Sequence, residues 1–205
     1  MRNRDKRDKE DQLLEYANEQ GGYFTAKQAC HAGYSYRLHS YHVKTGSWVK
    51  IERGVFRLKS YPSSEREDLI RWTLWSRNQK DEPQMVASHE TALSVHDLSD
   101  VNPAKFHFTV PPGFRKKVPP HVVLDRAALK PNEVQKREGF FVTTPVRTLK
   151  DAAQSDLPED ELRKALQDAL DNGLIQLNKI DISGLSNHGK ERMLMVFKML
   201  DDRTR

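Results

Sequence analysis

Arg37, Ser40 and Lys44 recur at i, i+3 and i+7, the spacing that puts side chains on one face of a helix. A guanidinium, a hydroxyl and an ammonium in that arrangement suit nucleic acid. Arginine can read the acceptor edge of guanine, while serine and lysine hold phosphates. From Tyr23 to Ile51 the chain carries Lys27, Arg37, Lys44 and Lys50 and no Asp or Glu. The same stretch is rich in Tyr, Ser, Thr and His. Such a surface neutralises phosphates without like-charge repulsion. The net charge of +5 over 205 residues is modest, so its placement says more than its size. A solvated basic face without a partner would show the same charges, and charge alone does not separate the two.

The elements needed to position these residues are legible around them. A first helix is expected from about Asp5 to Glu19, with Leu13, Leu14 and Ala17 as its apolar stripe. Gly21-Gly22 ends it. Thr25 can cap a short second helix, Ala26 to Ala32, and Gly33 supplies a turn. Ser35 stands at the N-cap of a third helix, Tyr36 to about Thr45, closed by Gly46. Leu38, Tyr41 and His42 are expected to face the core, opposite Arg37, Ser40 and Lys44. Trp48 to Ile51 and Val55 to Leu58 alternate as strands, with Glu52-Arg53-Gly54 as the turn between them. Helix, helix, helix and hairpin make a winged helix-turn-helix over residues 1–60.

In that arrangement Ser35 and nearby backbone N–H groups meet a phosphate. Tyr36, Arg37 and Ser40 enter the major groove, Lys27 and Lys44 hold phosphates, and Arg53 reaches the backbone or minor groove. Thr25 completes the expected DNA-binding set in this part of the chain.

Pro62 and Ser63-Ser64 mark a boundary, and residues 61–205 read as a second domain. Ser64 and Glu67 form a Ser-x-x-Glu capping box for a helix ending near Lys80. A helix from Glu90 to Leu98 has Ser88 as its cap. Met85–Ser88 is expected as a short strand or a buried link, and short strands are expected at Phe106–Val110, Val122–Leu124 and Phe140–Val142. Helices follow from Pro145, from Pro158 to Leu170, and from about Lys190 to Leu200, the last burying Met193, Leu194, Phe197 and Leu200. The whole reads as an α+β protein: an N-terminal winged helix-turn-helix, then a mixed domain with C-terminal helices. Arg115, Lys116 and Lys117 make the middle of the second domain basic, either as a second DNA-contacting surface or as a solvated loop.

Several classes are disfavoured. No apolar run approaches the ~20 residues that cross a bilayer, and the charged start has no apolar signal segment. One cysteine, Cys30, suits a reducing compartment. A cytoplasmic protein without membrane association is expected. Neither GxxxxGK[ST] nor GxSxG occurs, so catalysis and cofactors are not expected. His39 and His42 have a spacing that can suit a metal, but no Cys or carboxylate cluster completes a ligand set, and none is expected there. His89, Glu90 and His96 suggest acid–base work, yet no nucleophile accompanies them; helix capping or core hydrogen bonding is expected instead.

Several segments, in order, resemble one family. Gly22–Ala29, Tyr36–His39 and Gly46–Leu58 look like the N-terminal winged helix of AbiEi-type antitoxins. Ser88–Asp100, Phe106–Pro111 and Val142–Asp151 are similar to later motifs of that family. The resemblance covers roughly residues 10 to 155. It implies an autorepressor that binds double-stranded promoter DNA at inverted repeats. It also implies an antitoxin that counteracts a nucleotidyltransferase-like toxin in phage defence, often without a stable complex. The alternatives are a winged-helix regulator with no toxin, a nucleic-acid-acting enzyme, and a protein-binding adaptor.

Overall fold

The computed structural model describes residues 2–63, 65–100 and 102–201. Contacts gather the chain into two compact units, Met1–Met85 with Lys136–Phe140, and Val86–Gln135 with Phe141–Arg205. Among the described residues no helix is long and apolar enough to cross a membrane.

The first unit begins with α1 (Arg2–Asn18), which buries Leu13 and Ala17 and leaves Leu14 exposed. The chain then turns through Gly22, whose φ is +89°. A Cβ there would stand 2.5 Å from the Tyr61 side chain, so both backbone and space demand glycine. Next comes β1 (Tyr23–Thr25), a strand that sequence alternation did not reveal because all three residues are buried. It pairs antiparallel with β3 (Val55–Leu58), which pairs with β2 (Trp48–Glu52), giving the order β1-β3-β2. The helices α2 (Ala26–His31) and α3 (Tyr36–Lys44) lie between β1 and β2 in sequence. Thr25 and Gln28 form a reciprocal capping box at the start of α2.

The first unit continues past the sequence break at residue 60. Helix α4 (Glu67–Trp75) is tied to the sheet by Glu67, which accepts from Tyr23 Oη at 3.0 Å and pairs with Arg57 Nη2 at 3.1 Å. Ser64, the expected cap, lies outside the described residues; Arg66 occupies the N-cap position. The helix stops at Trp75 rather than near Lys80. The buried Ser76 hydroxyl donates to the Thr73 carbonyl and accepts from the amides of Gln84 and Met85, folding the chain back.

The second unit has a sheet of order β6-β5-β4-β8-β7: β4 (Val86–Ala87), β5 (Phe106–Val110), β6 (Val122–Arg126), β7 (Val134–Lys136) and β8 (Phe141–Thr143). β4 runs antiparallel to β5 and parallel to β8, and β5 runs parallel to β6. Its helices are α5 (His89–Val95), α6 (Pro145–Gln154), α7 (Glu159–Asp171) and α8 (Asn187–Asp201). They share a core with Leu93, Leu149, Leu162, Leu166, Met193 and Val196 at its centre. Leu194, expected inside, is 55% exposed; Val196 takes the inward place. Arg192 is buried and donates to the carbonyls of Ala153, Ser155 and Leu157. Its charge thereby complements the carbonyl end of α6. His96 makes the expected core hydrogen bond, with Nε2 at 2.7 Å from the Thr143 carbonyl.

The Tyr23 phenol is pushed up to about 12 by burial, then by its hydrogen bond to Glu67 and the charge of that carboxylate. The fold therefore holds the neutral phenol, and its contribution is complete below pH 10 and lost as pH rises toward 12. Wild type should lose about 2 kcal/mol more stability over that window than Tyr23→Phe. Denaturant titrations of both proteins at stepped alkaline pH check this; parallel losses would remove Tyr23 as the cause.

Candidate nucleic-acid interface

Trp48 is the first residue of β2 and is 4% exposed. Its indole touches five rings. Phe24 and Tyr34 meet it edge-on with ring centroids 4.8 and 5.2 Å away, His39 and Phe56 lie tilted to it at 5.5 and 5.7 Å, and His42 stacks on it at 4.6 Å with 17° between planes. Aromatic pairs of this kind each add about 0.5–1.5 kcal/mol beyond area burial. Two of the five partners belong to α3. His39 is also held by the Tyr34 carbonyl, 3.2 Å from its Nε2. Burial and the Glu10 charge push the Tyr34 phenol above its ordinary value, keeping it neutral inside this cluster.

These contacts fix the rotation of α3 about its axis. His39 is buried, and His42 and Val43 are half-buried. The inward face is thus 39-42-43, not the 38-41-42 face expected from the sequence. Leu38 is 41% exposed and Tyr41 59% exposed. Apolarity misled the expectation: the two histidines pack as flat rings against Trp48, and the more apolar side chains are left outside. His39 and His42 are therefore core-packing residues. The i, i+3, i+4 pattern of His39, His42 and Val43 beside a tryptophan was the available signal.

With α3 so placed, Ser35, Tyr36, Arg37, Ser40 and Lys44 are all exposed. Tyr36 and Tyr41 add two phenols to the same exposed surface. Ser35 occupies the N-cap position, but its hydroxyl makes no capping bond. Lys27 on α2 is exposed, with Nζ donating to the Gln79 carbonyl at 2.9 Å. Thr25 is different. It is 6% exposed and its hydroxyl accepts from the Gln28 amide, so it builds α2 and presents no surface.

The wing is a tight hairpin. Glu52 pairs with Val55, leaving Arg53-Gly54 as a two-residue turn, one residue shorter than expected. Gly54 has φ of +78°, which suits glycine in such a turn. The register shifts between Lys50 and Glu52, and a bulge of that kind increases strand twist. Arg53 is exposed at the tip, and Lys50 is exposed along β2. Arg115, Lys116 and Lys117 are exposed on the second unit, in the loop after β5 anchored by buried Phe114.

Helix, strand, helix-turn-helix and two-stranded wing define the first unit as a winged helix. Residues 11–59 match the family model described as "Transcriptional regulator, AbiEi antitoxin", so the resemblance read from the sequence holds over that segment. No curated protein sequence matches the chain. Among solved structures the chain is similar to the RV2827C protein from Mycobacterium tuberculosis. The TM-score is 0.60 at 14% identity, over 91% of this chain and 74% of that one. At that identity the likeness concerns the fold.

The rotation of α3 is directly testable by stability. Trp48→Ala should cost about 3–5 kcal/mol. Tyr41→Ala and Leu38→Ala should each stay within about 0.5 kcal/mol of wild type. Urea denaturation measures all three. A large loss at Tyr41 or Leu38 would put those side chains back in the core.

Proposed function

We propose that this protein is a transcriptional autorepressor and antitoxin of AbiE type. It binds double-stranded promoter DNA through the first unit and counteracts a nucleotidyltransferase-like toxin. The observation that carries this reading is the outward face of α3. It joins Arg37, Ser40 and Lys44 in a stretch without a carboxylate, on a winged helix that matches the regulator family over residues 11–59. The protein acts by binding rather than by catalysis, in the cytoplasm, and needs no cofactor.

In this reading α3 lies in the major groove. Arg37 reads a base, with guanine the best match for its fork of donors. Tyr36, Ser40 and Tyr41 bond to base edges or phosphates. Lys44 and Lys27 neutralise phosphates, and Lys27 must release the Gln79 carbonyl to do so. Ser35 and the free N–H groups at the start of α3 meet a phosphate, which the helix dipole favours. Arg53 reaches the backbone or minor groove from the wing. Arg115, Lys116 and Lys117 supply a second phosphate-contacting surface. Two copies on an inverted repeat would read the two half-sites, and toxin neutralisation would proceed without a stable complex.

Fluorescence anisotropy with the upstream promoter and a scrambled duplex, over a salt series, tests the reading. The promoter should bind selectively, with affinity falling steeply as salt rises. Arg37→Ala should cost about 1–3 kcal/mol and relax selectivity at one base pair. Lys44→Ala should weaken both duplexes equally and reduce the salt slope by about 1. Equal weak binding of both duplexes by wild type would remove specific repression.

A further inference from the structure

The second unit holds a group of side chains that the DNA-binding reading leaves unused. Among the described residues, His89, His107 and Asp125 each offer a ligand atom, and these atoms lie within 4.8 Å of one another. Three elements converge to bring them together. His107 and Asp125 come from the adjacent parallel strands β5 and β6, where His107 is level with Val123, two residues from Asp125, so both project from one face. His89 opens α5 with φ of +51°, in the left-handed region that residues with a side chain seldom adopt.

We propose that His89, His107 and Asp125 form a binding site for a divalent transition-metal ion of the zinc class. Asp125 Oδ2 stands 3.4 Å from His89 Nδ1 and 3.8 Å from His107 Nδ1. Both distances are long for a hydrogen bond between these groups. Bonds of about 2.0–2.2 Å in tetrahedral geometry put neighbouring ligand atoms about 3.3–3.6 Å apart; the His89 separation falls in that range and the His107 separation is slightly longer, so a small inward shift of the His107 ring would complete the set. Asp125 Oδ2 and His107 Nδ1 are both shut away from solvent and have no hydrogen-bond partner. A carboxylate oxygen and an imidazole nitrogen left in that condition are costly, and one shared cation would satisfy both.

The donor set selects the class of ion. Two imidazoles and a carboxylate suit zinc and its neighbours in the first transition row, whereas calcium and magnesium prefer oxygen alone. Three protein ligands leave a fourth position open to water. Outer contacts fit as well. Glu90 Oε2 lies 4.0 Å from Nε2 of His107, on the ring nitrogen that does not face Asp125, where a carboxylate can fix the tautomer and orient the ring. The Ser88 hydroxyl, 3.0 Å from His89 Nδ1, yields that nitrogen when an ion takes its lone pair. The side chains of His89 and His107 are 15% and 21% exposed, so an ion has access.

Full-length protein stripped with a chelator and titrated with Zn²⁺ by calorimetry, then with Co²⁺ by visible absorption, tests the site. The expected result is one ion per chain and the Co²⁺ d–d bands of mixed nitrogen and oxygen ligation. Asp125→Asn and His107→Ala should abolish that stoichiometric binding. Glu90→Gln should weaken it about 10- to 100-fold. Circular dichroism establishes that each variant is folded, and Asp125→Asn keeps the side-chain shape should His107→Ala unfold. No saturable Zn²⁺ binding by wild type, or binding unchanged in folded Asp125→Asn, would overturn the assignment and leave the cluster a purely structural contact.

Discussion

The stacking of His42 on Trp48, with His39 beside it, is the constraint on which the outward surface of α3 depends. A nine-residue helix has little to hold its rotation on its own. Two rings of α3 lie against an indole already clamped by Phe24, Tyr34 and Phe56. That contact decides which side chains face out, and so which chemistry is offered to a partner. Arg37, Ser40 and Lys44 need no intrinsic preference for the surface. They are there because the histidines are not.

The same logic explains what was legible in the sequence. Elements bounded by strong local signals were readable: the Thr25 cap of α2, the Gly33 turn, the Gly54 hairpin and the Thr144-Pro145 start of α6 all rest on neighbouring residues. Features set by distant packing were not. β1 is only three residues long and owes its state to pairing with β3, far along the chain. The inward face of α3 depends on ring shape against Trp48, which a hydrophobicity pattern ranks wrongly by preferring Leu38 and Tyr41. α4 ends where Ser76 finds the amides of Gln84 and Met85, a contact that helical periodicity does not contain.

The candidate site divides along the same line. The basic, acid-free stretch was visible because charge is a property of composition. Thr25 was expected both to cap α2 and to contact DNA; the capping bond forms, and the burial that comes with it takes the hydroxyl off the surface. The pairing of His107 with Asp125 is not legible in the sequence because they stand on different strands and meet only through the β5–β6 register. The sequence groups His89 with Glu90 and His96, but the fold sends His96 to the Thr143 carbonyl and brings His89 to Asp125. Proximity in sequence suggested one grouping, and sheet topology produced another.

In the proposed reading the outward face of α3 and the wing tip form the DNA surface. An amide-resolved NMR titration of the full chain with its promoter duplex tests it most directly. The largest shifts are expected at Ser35–Lys44 and at Arg53-Gly54, with the buried side of the Trp48 cluster little changed. Shifts concentrated elsewhere, with α3 silent, would contradict it.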